Sequence, residues 1–472
     1  MAAHADEIYM DPMGTLYIEG YGRFNTYFKS ALDKLGINYH IFKIGTYKSA
    51  VEPYIRDNMS AEVKQANIAY LGDLWSSYVS DVATARELTE DDINLYSNEF
   101  LNNLANSTTE SSQLAVSSSL INDLKTRREM RSYLIEKVGS TASGEDYLSI
   151  NYKTYLKLVN SKQTVAQKSE QAKDKVAVIV AKGVIYVGNK KAGSIGGQST
   201  ASLIRRARFD DSVKAVVIRV DSPGGSAYAS EIIRREVLET MADGKPVVIS
   251  MGSYAASGGY WIAASADEIW ASPTTITGSI GVYGMLPTFE KPLDKIGVYR
   301  DGVGTTTLTG AFDAGRPLRE DVGKAIQSSI EQTYQRFLSI VAEGREMTVE
   351  QVNEIAQGRV WSGKAAQANG LVDHLGGIED AIKSAADKSG MVSYEIEYIE
   401  QKVSSSEKFF SNMFKSSLLS SINITMDNEL SSQQMMLSPT VLLMQELQQA
   451  YQNLVQMNDP QNIYAHCLCS LN

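Results

Sequence analysis

Three stretches of this sequence recur at one shared offset. MAAHADEIYMDP (1–12) matches IAASADEIWASP (262–273), the stretch 21–39 matches YGMLPTFEKPLDKIGVY (283–299), and VATARELTEDDIN (82–94) matches VAEGREMTVEQVN (341–353). An offset of 259–262 residues kept across three pairs marks two copies of one domain. The copies differ at the front: residues 175–261 precede the second ADEIW segment, and nothing in the chain corresponds to them before the first. The first copy is therefore expected to be incomplete, its missing front lying before Met1.

The complete copy alternates strand and helix patterns. KVAVIVAKGVIYVG (175–188) reads as two strands around a glycine turn, SLIRRARFDD (202–211) as a helix, and VKAVVIRVD (213–221) as a strand. Residues 226–243 carry Ile232, Ile233, Val237 and Leu238 on one helical face, and PVVIS (246–250) is again a short apolar strand. Such alternation predicts an α/β domain with a largely parallel sheet. Helical spacing also predicts helices over 59–87 and 318–345. The expected division is 1–95 for the partial repeat, 96–174 for a helix-rich connector interrupted at 107–119, 175–400 for the complete repeat, and 401–472 for a tail. The tail reads as Ser/Gln/Met-rich loop (SSSEKFF, SSQQMM) with one amphipathic helix near 440–457.

Charge and apolar runs narrow the function classes. A net charge of −10 without a basic cluster argues against a nucleic-acid binder. Runs such as VAVIVA stop well short of the ~18 residues that cross a bilayer. The two cysteines sit in HCLC (466–469), where one intervening residue argues against an unstrained disulfide, and one histidine is too few to complete a zinc site.

Chemistry concentrates in SMGSYAASGGYW (250–261), where Ser257 precedes Gly258 and Gly259. A plain strand-to-helix turn explains the small residues, and a Ser-Gly-Gly string alone is a weak motif. A nucleophilic serine needs a neighbour to take its proton. The four histidines, His4, His40, His374 and His466, lack a glycine-framed context and read as solvated or packing residues. Lysine remains, and it acts as a base only when burial or positive charge lowers its pKa. GTYKSAVEP (45–53) offers Lys48, and its duplicate VGTTTLTGA (303–311) aligns Thr307 with it. A lysine in such a turn is ordinarily a solvated surface residue; here one copy keeps the lysine and the other the serine. The DSPGGS turn (221–226), ending a strand and opening a helix, can present the amides of Gly224 and Gly225 to an oxyanion, with Gly258 as a second donor. It lacks the Lys-Ser/Thr of a P-loop and the spacing of a dinucleotide fingerprint.

Together DSPGGS, SMGSYAASGGYW, TGSIGVYG (277–284) and GTYKSAVEP resemble the signal peptide peptidase A (protease IV) family in its long, duplicated bacterial form. GRVWSGKAAQANGLVD (358–373) is similar to a helix-packing segment of that superfamily. The resemblance implies tandem Clp protease/crotonase-like domains and a Ser/Lys dyad. Ser257 is then the nucleophile, Lys48 the general base, Ser279 the residue that orients the lysine amine, and Gly225 with Gly258 the oxyanion hole. It implies cleaved signal peptides and other hydrophobic peptides as substrates, with no metal or nucleotide cofactor and no nucleic-acid partner. It further implies a homo-oligomer, a tetramer, attached to the bacterial inner membrane through a segment absent from this chain, with the catalytic part facing the periplasm. A crotonase-type acyl-CoA enzyme is the alternative, in which the Ser257/Lys48 pair has no task; an inactive scaffold is a third, through the incomplete front. Because Ser257 and Lys48 lie in different copies, the dyad is expected to need close packing of the copies within one chain or between chains.

Overall fold

The computed structural model describes residues 1–106, 110–166, 174–401, 459 and 463–467. They divide into two units, one drawn from Met1–Phe24 and Asn67–Lys173 and the other from Asn25–Ala66 and Asp174–Ser470. The larger unit contains every residue singled out for chemistry.

Its centre is a sheet ordered Val360–Ser362, Ile276–Gly278, Val247–Ala256, Val213–Ser222, Lys175–Lys182, Glu395–Tyr398. Neighbours pair in parallel except at the Val360–Ser362 edge, which is antiparallel. Successive side chains of a strand point to opposite faces. Accordingly Ala177, Ile179 and Ala181 enter one apolar cluster while Val176 and Val178 enter another. Both faces are covered, which is why these strands read as unbroken apolar runs and not as alternation. Helices Gly197–Arg208, Ala227–Ala242 and Glu320–Gly344 contribute Ile204, Ile233 and Phe337 to the first cluster. Helix Ile378–Lys388 contributes Ala381, Ile382 and Ala385 to the second. This is the α/β class expected from the sequence.

A second sheet in the same unit is ordered Asn38–Ile44, Val282–Thr288, Ile463–His466, Gly224–Ser226, Ile185–Tyr186, Ile195–Gly196. Asn38–Ile44 runs antiparallel to Val282–Thr288 in register from Asn38↔Thr288 to Ile44↔Val282. That ladder fixes where the chain after Ile44, and so Lys48, must go.

In the smaller unit, helix Glu90–Asn106 packs Ile93, Tyr96 and Phe100 against Val79, Val82 and Leu120. The expected interruption at 107–119 is corrected in part, because Ser111–Ser117 is helical. Burial overrides the weak propensity of serine there: Ser112 and Ala115 face inward, and Ser112 Oγ donates to the Pro12 carbonyl at 2.6 Å. Residues 107–109, the tail motifs SSSEKFF and SSQQMM and the expected helix near 440–457 lie outside the described residues. Among those described, no helix is long and apolar enough to cross a membrane. In HCLC, where the sequence argues against an unstrained disulfide, Cys467 is disulfide-bonded.

Candidate active site

Strand Val247–Ala256 ends directly at Ser257, and helix Gly258–Ala263 begins directly after it. The turn between them is sharp, with Ser257 at φ 57° and ψ −114°. A side-chain-bearing residue held there stores about 1–3 kcal/mol of strain, so its neighbours must over-determine it. They do so from both sides: the Ser257 N–H donates to the Gly278 carbonyl at 2.8 Å, and the Ser257 carbonyl accepts from the Trp261 N–H at 2.9 Å. The strand is longer than the apolar run 246–250 suggests, since MGSYAA continues the ladder beside Ile276–Gly278.

Lys48 arrives from the other sheet. Its loop is tied by Tyr47 N–H to the Gln357 carbonyl at 2.8 Å and by Lys48 N–H to the Gly45 carbonyl at 3.1 Å. Ala50 and Val51 pack with Tyr283 and Tyr464 just beyond. Gly358, at φ 76°, lies against the loop so tightly that a Cβ there would stand 2.7 Å from Lys48 N and 2.8 Å from its Cα. Lys48 is 1% exposed, far from the solvated state ordinary for a turn lysine. Its aligned counterpart Thr307 is exposed.

The Lys48 Nζ stands 2.8 Å from Ser257 Oγ, 3.1 Å from Ser279 Oγ and 3.1 Å from the Ser279 carbonyl. Burial pulls the amine's pKa from 10.5 down to about 7. In its neutral form it has two N–H bonds and one lone pair. Ser279 offers two acceptors for the N–H bonds, which leaves the lone pair for the Ser257 hydroxyl. Ser279 is itself held at φ 53° by its N–H donating to the Arg359 carbonyl at 2.7 Å.

The glycine turn closes the third side. Gly224 and Gly225 have φ of 101° and 155°, and a Cβ on Gly225 would meet the Ile185 carbonyl oxygen at 2.1 Å. A Cβ on Gly258 would stand 3.2 Å from the Gly225 nitrogen. The structure thus brings together all five residues expected from the sequence: Ser257, Lys48, Ser279, Gly225 and Gly258. Of the histidines, His466 is buried near Lys48. Burial, aided by the lysine charge, pushes its pKa down to about 4, against a hydrogen bond to the Gly224 backbone that raises it. Its Nδ1 has no hydrogen-bond partner among the described residues.

Sequence reasoning missed two contributors. Gly358 begins the GRVWSG stretch, which signalled packing but not contact with the lysine loop. Strand Ile463–His466 pairs with Gly224–Ser226, whereas the HCLC motif that begins at its last residue points only to cysteine and metal chemistry.

Comparison with known proteins gives the family. The model described as Peptidase family S49 matches residues 1–140 and 239–392. The chain is 38% identical to a Protease 4 of Salmonella typhi over 100% of this chain and 74% of that protein. It is 39% identical to a Protease 4 of Haemophilus influenzae, over 99% of this chain and 74% of that protein. A chloroplastic serine protease SPPA of Arabidopsis thaliana is 30% identical over 82% of this chain and 56% of that protein.

Proposed function

The chain belongs to Peptidase family S49, and within that family we propose that it is a serine endopeptidase working through a Ser257/Lys48 dyad and an acyl-enzyme. One observation carries the reading: a buried lysine with its pKa near 7 stands 2.8 Å from the hydroxyl of a strained, glycine-flanked serine. Neutral Lys48 takes the Ser257 proton as the oxygen attacks a peptide carbonyl. The carbonyl oxygen becomes an oxyanion, and the amides of Gly225 and Gly258 receive it; one such donor is worth about 3 kcal/mol of transition-state stabilisation. The Lys48 ammonium then returns its proton to the departing amine. Water, deprotonated by the same amine, releases the acyl group from Ser257. Ser279 keeps the amine aimed throughout.

The sequence resemblance supports hydrophobic peptides, including cleaved signal peptides, as substrates. It also supports a homo-oligomer, a tetramer, attached to the bacterial inner membrane with this part facing the periplasm. The tandem reading belongs to the same proposal, with 1–95 as the lysine-bearing copy and 175–400 as the serine-bearing one. The test is hydrolysis of small apolar peptide esters by Ser257→Ala and Lys48→Ala proteins. Both should lose turnover, and near-native turnover in either removes the dyad.

A further inference from the structure

Resting on the Ser257/Lys48 reading, we propose that Gln357 is a positioning residue of the reaction, clasping the Lys48 loop so that the amine stays within reach of Ser257.

Backbone strain singles the residue out. Six side-chain-bearing residues among those described have positive φ: Glu87, Ser119, Ser257, Ser279, Glu346 and Gln357. Ser257 and Ser279 belong to the site. Glu87, Ser119 and Glu346 follow helices Ala61–Arg86, Ser111–Ser117 and Glu320–Gly344, where a left-handed residue is an ordinary terminator. Gln357, at φ 55°, also follows a helix, Val349–Ile355, but its N–H does not return to that helix. It donates to Tyr334 Oη at 3.4 Å. Such a conformation costs about 1–3 kcal/mol and persists only where the surroundings over-determine it.

Both ends of the side-chain amide are engaged. Nε2 donates to Tyr334 Oη at 3.2 Å and to Asn353 Oδ1 at 2.7 Å, which uses its two N–H bonds. Tyr334 Oη in turn donates to Asn353 Oδ1 at 2.7 Å and closes the ring of three side chains. Tyr334 is buried, and burial pushes its phenol up despite the Gln357 N–H, so it keeps the proton it donates. On the other side, Gln357 Oε1 accepts from the Thr46 N–H at 3.4 Å, and the Gln357 carbonyl accepts from the Tyr47 N–H at 2.8 Å. One residue thus receives two successive amides of the loop that carries Lys48. The approach is close: a Cβ on Gly45 would stand 2.6 Å from the Gln357 carbonyl carbon and oxygen.

The next two residues carry the hold across to the far side of the amine. The Gly358 N–H donates to the Ile280 carbonyl at 2.8 Å, and the Arg359 carbonyl accepts from the Ser279 N–H at 2.7 Å. The Arg359 guanidinium lies over the rings of Tyr47 at 5.4 Å and Trp361 at 4.1 Å. Residues 357–359 therefore join the Lys48 loop to the Ser279 turn, the two pieces of chain that aim Nζ. A misplacement of about 1 Å in a reacting pair can cost about a hundredfold in rate. It would also admit water to an amine that burial holds at a pKa of about 7.

The experiment follows the acylation burst from an apolar p-nitrophenyl ester, as a function of pH, in the full chain and its variants. Gln357→Met keeps the length of the side chain and loses its amide. Its maximal acylation rate should fall at least about tenfold, with the half-saturating ester concentration within about twofold of the parent's. Its apparent pKa should rise by at least about one unit, as the lysine regains water. Tyr334→Phe should move both quantities the same way by less, and should add no further fall to Gln357→Met, because the two act as one unit. A lowered melting temperature with the parent's maximal rate or the parent's apparent pKa marks a merely structural residue and overturns the proposal. Independent, multiplying losses in the double variant overturn it too. Should Gln357→Met not fold, Tyr334→Phe decides alone, and parental rate and pKa there overturn the proposal. Lys48→Ala separates the two readings. A burst lost in Lys48→Ala but unaltered in Gln357→Met removes the positioning role and leaves the dyad. A burst that survives Lys48→Ala removes both.

Discussion

Lys48 Nζ and Ser257 Oγ are 2.8 Å apart although 209 residues separate them in the chain. The contact is made within one chain and within one compact unit. It is assembled from two sheets: the Ser257 strand is central in one, and the Lys48 loop follows an edge strand of the other. A general base has to come within about 3 Å of its proton, so in the proposed dyad whatever positions the lysine loop also bears on the rate.

Removing the lysine should stabilise the fold while abolishing turnover. Lys48 has a folded pKa of about 7 against 10.5 for the ordinary side chain. Between those values the unfolded chain binds more protons, so stability rises with pH across that window and the burden is greatest at and below pH 7. Lys48→Met should therefore be more stable than the parent at pH 6, by about 1–4 kcal/mol as for other replaced buried charges. The advantage should shrink towards pH 10, as read by urea unfolding at each pH.

Ser279→Ala should lower kcat and leave KM nearly unchanged. The variant keeps the Ser279 carbonyl but loses the Oγ acceptor 3.1 Å from Nζ. A lost hydrogen bond of about 1–2 kcal/mol predicts a roughly fivefold to thirtyfold fall. Steady-state kinetics on an apolar peptide ester, with the kcat and KM effects separated, is the check.

Gly358→Ala should damage both stability and activity, for a reason that a control isolates. Its Cβ would press on the Lys48 backbone at 2.7–2.8 Å, and φ is 76°. Gly390 has a similar φ of 72° with nothing within 4 Å of its Cβ position. Gly390→Ala should lose about 1 kcal/mol with turnover intact, while Gly358→Ala should lose more and fall at least about tenfold in kcat. Equal behaviour of the two would show that the lysine loop tolerates displacement.

The ion-pair cluster around Glu231 gives a second stability prediction, of the same pH sense but in an acid window. Glu231 accepts from Trp261 Nε1 at 2.9 Å and pairs with Arg234 and Arg235 at 2.8 and 3.0 Å. Burial raises its pKa, but the hydrogen bonds from Arg234 and Trp261 outweigh that and hold it at about 2. Its contribution is present above the usual carboxylate pKa near 4.5 and is lost as pH falls towards 2. Glu231→Gln should accordingly melt below the parent at pH 7, with the gap closing in thermal scans taken between pH 4.5 and 2.

Much of this was legible in the sequence because the physics is local. Val176 to Ala181 and Val213 to Val220 announce doubly covered parallel strands, and Ser257-Gly258-Gly259 announces a tight turn after one of them. Lys48 was legible only by contrast with Thr307 in the other repeat, since burial is a tertiary property that no single residue displays. Gly358 and Ile463–His466 were not legible as site elements. Each acts through a non-local approach: a glycine against a loop more than 300 residues earlier, and a tail strand inserted between two strands of a sheet. The helix at Ser111–Ser117 was hidden for a related reason, because its stability comes from Ser112 and Ala115 packing inward and not from propensity.

The pH dependence of Ser257 acylation tests the central claim most directly. Mixing the full chain with an apolar p-nitrophenyl ester should give a burst of nitrophenol. Its rate should rise with pH through an apparent pKa of about 7, where Lys48 loses its proton, and then level off. In Lys48→Ala the burst should vanish across the range, and in Lys48→Arg as well, since a guanidinium does not deprotonate. A burst that persists in Lys48→Ala with the same apparent pKa would contradict the account.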